Sequence, residues 1–197
     1  MGVIGKDFKF KIIKNFLTKS EVKLLNKYCE IKHRTNLGSP TIEDGTFDMA
    51  CKNMDTRFYG DPIMEALSLE KQNLMEKETG KKLLGTYTYW RMYTKFADLK
   101  THTDRPACEI SVTVHIGGDI GWPIFIDGKE CVTEPGNAVI YLGMDCKHGR
   151  KEFLGDWQAQ CFIHYVDANG PHTDNFMDQR PYWGMRSSKK EVIRLKE

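Results

Sequence analysis

The period of hydrophobic and polar positions changes near residue 82. Upstream the pattern is helical. Phe8 to Phe16 is an apolar-rich unit, followed by Leu17-Thr18-Lys19-Ser20-Glu21-Val22. There Thr18 and Glu21 have the spacing of a capping box, and Leu17 and Val22 that of a hydrophobic staple. The spacing predicts a helix from Ser20 to about Glu30 that buries Val22, Leu25 and Cys29 on one face. Ile31 to Tyr59, with Gly38-Ser39-Pro40 and Asp44-Gly45, has turn chemistry and little periodicity, and reads as a long surface loop. Asp61-Pro62 marks a second helix start and Gly80 its stop.

From Lys82 onward the pattern alternates with period two. Tyr87, Tyr89, Arg91 and Tyr93 fall on one face of the run Leu83 to Tyr93, and Thr86, Thr88, Trp90 and Met92 on the other. Further strands are predicted at Cys108 to Ile116, Pro123 to Ile126, Glu130 to Thr133, Ala138 to Leu142, Lys147 to Lys151 and Trp157 to Val166, punctuated by Gly117-Gly118, Asp127-Gly128, Pro135-Gly136 and Gly155-Asp156. Short strands at this spacing imply an antiparallel barrel or jelly roll. Helices in front and strands behind give an α+β class, mainly β, with the helices packed on one sheet. The last stretch, Arg186 to Glu197, alternates charges and reads as a solvated helix or a frayed end.

Composition narrows the partners more than the fold. A chain of 197 residues, 40% hydrophobic and 28% charged, is long enough for one core. We therefore expect a single domain, with 1–81 as helical support, 82–168 as the β core and 169–197 as a tail. A net charge of +2 and a pI near 8.1 fall short of the pI above roughly 9 of dedicated nucleic-acid binders, so no nucleic-acid partner is expected. No apolar run approaches the ~20 residues of a membrane span, and Met1 to Lys11 lacks the apolar core of a secretory signal. The expected compartment is the cytosol. The cysteines contain no C-x-x-C pair, so free thiols are expected rather than a zinc knuckle or redox motif.

Metal-ligand spacing is where chemistry first shows. His-Thr-Asp occurs twice, at 102–104 and 172–174. Only the first copy lies near a long strand and is followed by another imidazole, His148, on a predicted strand. Residues 102 and 104 share one face of an extended segment. Two histidines and one carboxylate on one side of a metal leave adjacent positions open, as in non-haem Fe(II) oxygenases. The competing reading is a surface His and Asp near a turn, with His148 a hydrogen-bonded strand residue. The triad alone does not separate the two.

Four stretches together carry a resemblance: Tyr87-Thr-Tyr-Trp-Arg-Met-Tyr93, Leu99-Lys-Thr-His-Thr-Asp-Arg-Pro106, Glu134-Pro-Gly-Asn-Ala-Val-Ile-Tyr141 leading to His148, and Gln158-Ala-Gln-Cys-Phe-Ile-His-Tyr165. With a strand, then Phe16-Leu17-Thr18 and a helix at the front, the chain resembles the 2-oxoglutarate and Fe(II)-dependent dioxygenases, in particular their prolyl 4-hydroxylase-like branch. The resemblance implies a double-stranded β-helix with His102, Asp104 and His148 as the iron ligands, 2-oxoglutarate and O2 as cosubstrates, and Tyr93 as a contact to the remote carboxylate of 2-oxoglutarate. The presence of Asp104 disfavours a halogenase. The substrate implied is a prolyl or other residue in a protein or peptide, with a small molecule as the alternative.

The sequence departs from the family at one place. Most members carry an Arg or Lys roughly ten residues after the distal histidine, where Trp157 or Gln158 stands here. Arg150 is the replacement favoured by strand parity, since it shares a face with His148 and a guanidinium can clamp a carboxylate with two hydrogen bonds. The alternative for Arg150 is an exposed strand end. Gln158, His115 and Arg91 are the other candidates. Arg91 could instead stack on its tyrosines, and His115 and His164 could be satisfied core histidines. A cupin-like module that binds a metal or small molecule without turnover is the rival to an enzyme.

Overall fold

The computed structural model describes residues 8–38 and 55–185. Strand β1 (Phe10–Ile13) leads into helix α1 (Lys19–Gly38). The capping box forms reciprocally: the Thr18 N–H donates to Glu21 Oε2 at 2.6 Å, and the Glu21 N–H donates to Thr18 Oγ1 at 3.2 Å. The helix does not stop at Glu30. No Gly or Pro interrupts the chain before Gly38, and Glu30 pairs with Lys27 at i−3 and Arg34 at i+4, which extends the helix through that point. His33 accordingly sits on the helix rather than in a loop, 2.6 Å from Thr56 Oγ1.

The rest of the expected loop also holds a strand, β2 (Thr56–Tyr59), paired antiparallel with the next strand of the sheet. Its four residues carry too short a pattern to announce a strand alone. Tertiary pairing and the stacking of Phe58 on Trp90, centroids 5.0 Å apart, define it. Gly38-Ser39-Pro40 and Asp44-Gly45 fall at the end of α1 or outside the described residues, as does the segment 186–197. Helix α2 (Pro62–Thr79) starts and ends at the expected residues: Asp61 accepts the Ile63 N–H at 3.1 Å, and Gly80 closes the helix in the left-handed region at φ 68°.

Eight strands follow: β3 (Leu83–Thr94), β4 (Leu99–His102), β5 (Ile110–Gly118), β6 (Ile124–Ile126), β7 (Lys129–Cys131), β8 (Ala138–Leu142), β9 (His148–Arg150) and β10 (Trp157–Asp167). One sheet has the order β1-β8-β5-β10-β3-β2 and the other β4-β9-β6-β7, all pairs antiparallel. From β3 to β10 the chain alternates between the two sheets strand by strand, save for the β6–β7 hairpin within the smaller sheet, which is the winding of a double-stranded β-helix. Strand β4 is the one barrel strand missing from the sequence prediction, because Leu99-Lys-Thr-His shows a single apolar residue and is largely exposed.

Alternation then separates two interiors. Val112, Val114 and Ile116 of β5, Ala159, Cys161, Ile163 and Tyr165 of β10, and Trp90 and Met92 of β3 form the core beneath the helices with Leu25, Cys29, Met64 and Met75. The opposite parity faces the barrel. It is polar and aromatic: Ser111, Thr113 and His115; Gln158, Gln160, Phe162 and His164; Tyr87, Tyr89, Arg91 and Tyr93. The five described cysteines are all free and buried. Among the described residues no helix is long and apolar enough to cross a membrane.

Beyond β10 the chain folds back over β3. Arg180, fully buried, donates to Glu65 Oε1 at 2.5 Å and to the Thr86 carbonyl at 3.1 Å, and its guanidinium lies 5.0 Å from the Tyr59 ring. Removing one member of such a pair strands a charge in a low-dielectric site. Arg180→Ala is therefore expected to cost about 3–5 kcal/mol, read as a lower urea midpoint of unfolding. A loss below 1 kcal/mol would show that the return segment adds little to the fold.

Candidate metal centre

Strand register brings the two histidines together. Strands β4 and β9 pair antiparallel with His102 directly opposite His148, and their ring centroids are 4.4 Å apart. The Nδ1 of His102 lies 2.8 Å from the Lys100 carbonyl and that of His148 2.9 Å from the Cys146 carbonyl. A carbonyl only accepts, so each Nδ1 carries the proton and each Nε2 presents a lone pair. Both Nε2 atoms lie 3.5 Å from Asp104 Oδ1. Asp104 is fixed in turn by its own N–H, which donates to the Gly143 carbonyl at 2.8 Å.

Three lone-pair donors thus converge with their ligand atoms within 4.8 Å of one another. The arrangement repels itself unless positive charge sits among them. Protonation is one source of that charge: hydrogen bonding of a protonated ring to Asp104 raises the His102 pKa, and although burial works to raise that of Asp104, bonds from protonated imidazoles hold it well below the usual range. Two nitrogens and one hard oxygen on one side, each imidazole oriented by a backbone carbonyl, fit a divalent transition metal with open positions. The His102 side chain is 42% exposed against 2% for His148, so the open side faces the mouth. The second His-Thr-Asp does not take part. His172 begins a turn, and no ligand grouping among the described residues includes it.

The centre borders a cavity of about 420 Å³ lined by the inward tyrosines of β3, Tyr141, Phe162 and His164, with Arg57, Tyr59 and Arg105 at its rim. Tyr93 is in its wall, as its strand face predicts. Arg150 is not the exposed strand end: it is 5% exposed, beside Tyr93 and Tyr141, with its guanidinium 4.9 Å over the Trp122 ring. One Nη donates to the Trp122 carbonyl, while its buried Nε has no partner. Burial lowers its pKa to about 10, which still leaves it charged at neutral pH. No carboxylate among the described residues pairs with it.

His115 and Gln158 lie behind that wall and bond to each other. Nδ1 of His115 donates to the Thr133 carbonyl at 2.7 Å, so its Nε2 accepts from Gln158 Nε2 at 3.1 Å. This leaves Gln158 Oε1 buried without a partner among the described residues, and burial, helped by the Arg150 charge, lowers the His115 pKa. Arg91 is committed elsewhere: it donates to Asp55 Oδ2 through Nε at 2.7 Å and through Nη2, and stacks on Tyr93 at 4.0 Å. Sequence reasoning missed Ser111, Asp55, Arg57, Tyr59 and Asp178. It treated His164 as core, although the parity of Gln158, Gln160 and Phe162 would have turned it inward.

No protein-family model matches the chain, and no curated protein matches it. Solved structures do. HygX from Streptomyces hygroscopicus, with nickel and 2-oxoglutarate bound, superposes with a TM-score of 0.61 at 13% identity over 82% of this chain and 83% of its own. The non-haem α-ketoglutarate-dependent epimerase SnoN of nogalamycin biosynthesis gives 0.66 at 13%, covering 88% and 85%. The viral collagen prolyl hydroxylase vCPH of Paramecium bursaria Chlorella virus-1 gives 0.60 at 11%, covering 82% and 98%. At these identities the likeness establishes the shared double-stranded β-helix.

Burial also sets a pH dependence. It lowers the His164 pKa from 6.5 to about 4, against the pull of the Asp104 charge. A depressed imidazole contributes stability that is complete above its unfolded value near 6.5 and lost as pH falls toward 4. Between pH 7 and 4.5 the wild type is expected to lose on the order of 2–3 kcal/mol more than His164→Asn in urea unfolding. Equal losses would refute a buried neutral imidazole.

Proposed function

We propose that the chain is an Fe(II)- and 2-oxoglutarate-dependent dioxygenase that hydroxylates an unactivated C–H bond. The observation that carries the reading is the convergence of His102 Nε2, His148 Nε2 and Asp104 Oδ1 on one point at the wall of a cavity. Bound Fe(II) would supply the one-electron and O2 chemistry. The overall reaction balances as substrate R–H plus 2-oxoglutarate plus O2 giving R–OH, succinate and CO2.

The protein's own residues divide the remaining tasks. His102, Asp104 and His148 hold the metal and leave positions for a chelating keto acid and for O2. Arg150 supplies the buried positive charge for the remote carboxylate, in place of a basic residue on β10, and its unpartnered Nε is among the donors still available. Tyr93 stands beside it, and behind the wall the His115–Gln158 pair holds one acceptor unspent. The inward tyrosines of β3, with Tyr59 and Phe162, make a wall for the primary substrate. A prolyl or other residue of a protein or peptide fits the sequence resemblance, with a small molecule as the alternative.

Anaerobic addition of 2-oxoglutarate to the Fe(II)-loaded protein is expected to produce a weak visible charge-transfer band that is absent in His148→Ala. O2 should then yield succinate. Iron bound without the band would overturn the cosubstrate assignment and favour a binding module. Arg150→Ala is expected to raise the 2-oxoglutarate concentration for half-saturation about ten- to a hundredfold, the worth of a lost charged hydrogen bond. An unchanged value would move that role to His115 or Gln158.

A further inference from the structure

Asp104 is gripped from behind as well as from the front. While Oδ1 faces the two imidazoles, Oδ2 lies 3.1 Å from Ser111 Oγ on β5. The same hydroxyl is 3.2 Å from the Cys108 carbonyl and 2.9 Å from His164 Nδ1 on β10. Ser111 has one proton to give, and an ionised carboxylate is the stronger acceptor. The proton therefore goes to Asp104, and the serine oxygen accepts from the His164 Nδ1–H. A directed chain runs from His164 through Ser111 to Asp104.

Two further features hold this chain in place. A Cβ at Gly143 would come within 2.5 Å of Asp104 Oδ2, 2.7 Å of Ser111 Oγ and 2.3 Å of the Cys108 carbonyl oxygen. Only glycine leaves room for the carboxylate to reach the serine while the Gly143 carbonyl takes the Asp104 N–H. On the other side, the Tyr87 ring packs on His164 with centroids 4.5 Å apart. The imidazole has no freedom to swing away.

We propose that Ser111 and His164 are positioning residues that reserve Asp104 Oδ2, so that the carboxylate reaches the metal through Oδ1 alone. The proposal rests on reading His102, Asp104 and His148 as a metal centre. A carboxylate with both oxygens available can take two coordination positions. Tying one oxygen back limits Asp104 to a single position and keeps the others for exchangeable ligands. Partners of this kind affect metal affinity about 10–100-fold when removed.

Co(II) titration of the full chain, followed by d–d absorption and by competition with a chelator, separates the two levels. Wild type is expected to bind one Co(II) per chain, and His148→Ala to lose it. Binding that ignores His148 would overturn the metal-centre reading whatever Ser111 does. Given that binding, Ser111→Ala is expected to weaken Co(II) about tenfold or more and to change the d–d intensity, while Ser111→Thr, which keeps the hydroxyl, stays close to wild type. Wild-type affinity and spectrum in Ser111→Ala would overturn the proposal. Should Ser111→Ala not fold, His164→Leu and His164→Asn decide: Leu weakens Co(II) and Asn, with an N–H donor, restores it, and equal binding by both refutes the relay.

Discussion

Lone pairs aimed at one another do not come together by attraction. The convergence of His102, His148 and Asp104 is imposed by the backbone, and much of the barrel serves that end. The β4–β9 register sets the two rings opposite each other, and a one-residue slip would send His148 to the other face of its sheet. The carbonyls of Lys100 and Cys146 fix both tautomers, and the Gly143 carbonyl, just past β8, holds the Asp104 backbone. Each of these contacts is local and inexpensive. Their joint effect is a pocket of negative potential that a cation relieves.

The buried guanidiniums give the complementary constraint. Arg91 and Arg180 are each matched to a buried carboxylate, Asp55 and Glu65. Arg150 is equally buried and, among the described residues, meets a carbonyl and an indole face but no carboxylate. An ion removed from water without a counter-charge costs several kcal/mol even after relaxation. The fold thus pairs two of its buried cations closely and sets the third behind Tyr93 and Tyr141, two residues of the cavity wall. Burial, and to a lesser degree the same charge, lowers the His115 pKa, which favours the neutral ring whose Nε2 accepts from Gln158.

Much of this architecture was legible in the sequence, and what was hidden was hidden for definable reasons. The β3 and β10 runs alternate without interruption, so their inward residues, Tyr93 and Gln158 among them, could be assigned by parity. The capping residues Thr18, Asp61 and Gly80 act locally and marked their helices. Strands β2 and β4 could not be seen, because each is short and is defined by the partner it pairs with. Pairing between Arg91 and Asp55 spans an interval that no local pattern encodes, and so Arg91 remained a candidate clamp until its partner was known. Ser111 is small and sits between valine and isoleucine, and only its distance to Asp104 gives it meaning.

The return segment after β10 is held by the same kind of trade. Met177, Asp178 and Gln179 have φ of 53°, 53° and 59°, three successive side-chain-bearing residues in the left-handed region. Each costs roughly 1–2 kcal/mol relative to ordinary backbone. The compensation lies on either side of the bend. Asp178 receives both Nη atoms of Arg105 at 2.8 Å and the Tyr59 hydroxyl, while Arg180 anchors the other side against Glu65. Arg105 follows Asp104 directly and stacks 4.6 Å over Tyr87, the ring that confines His164. The bend is therefore tied through one arginine to the loop that carries the carboxylate, so the rim of the cavity and the convergent donors at its wall belong to one connected set of contacts.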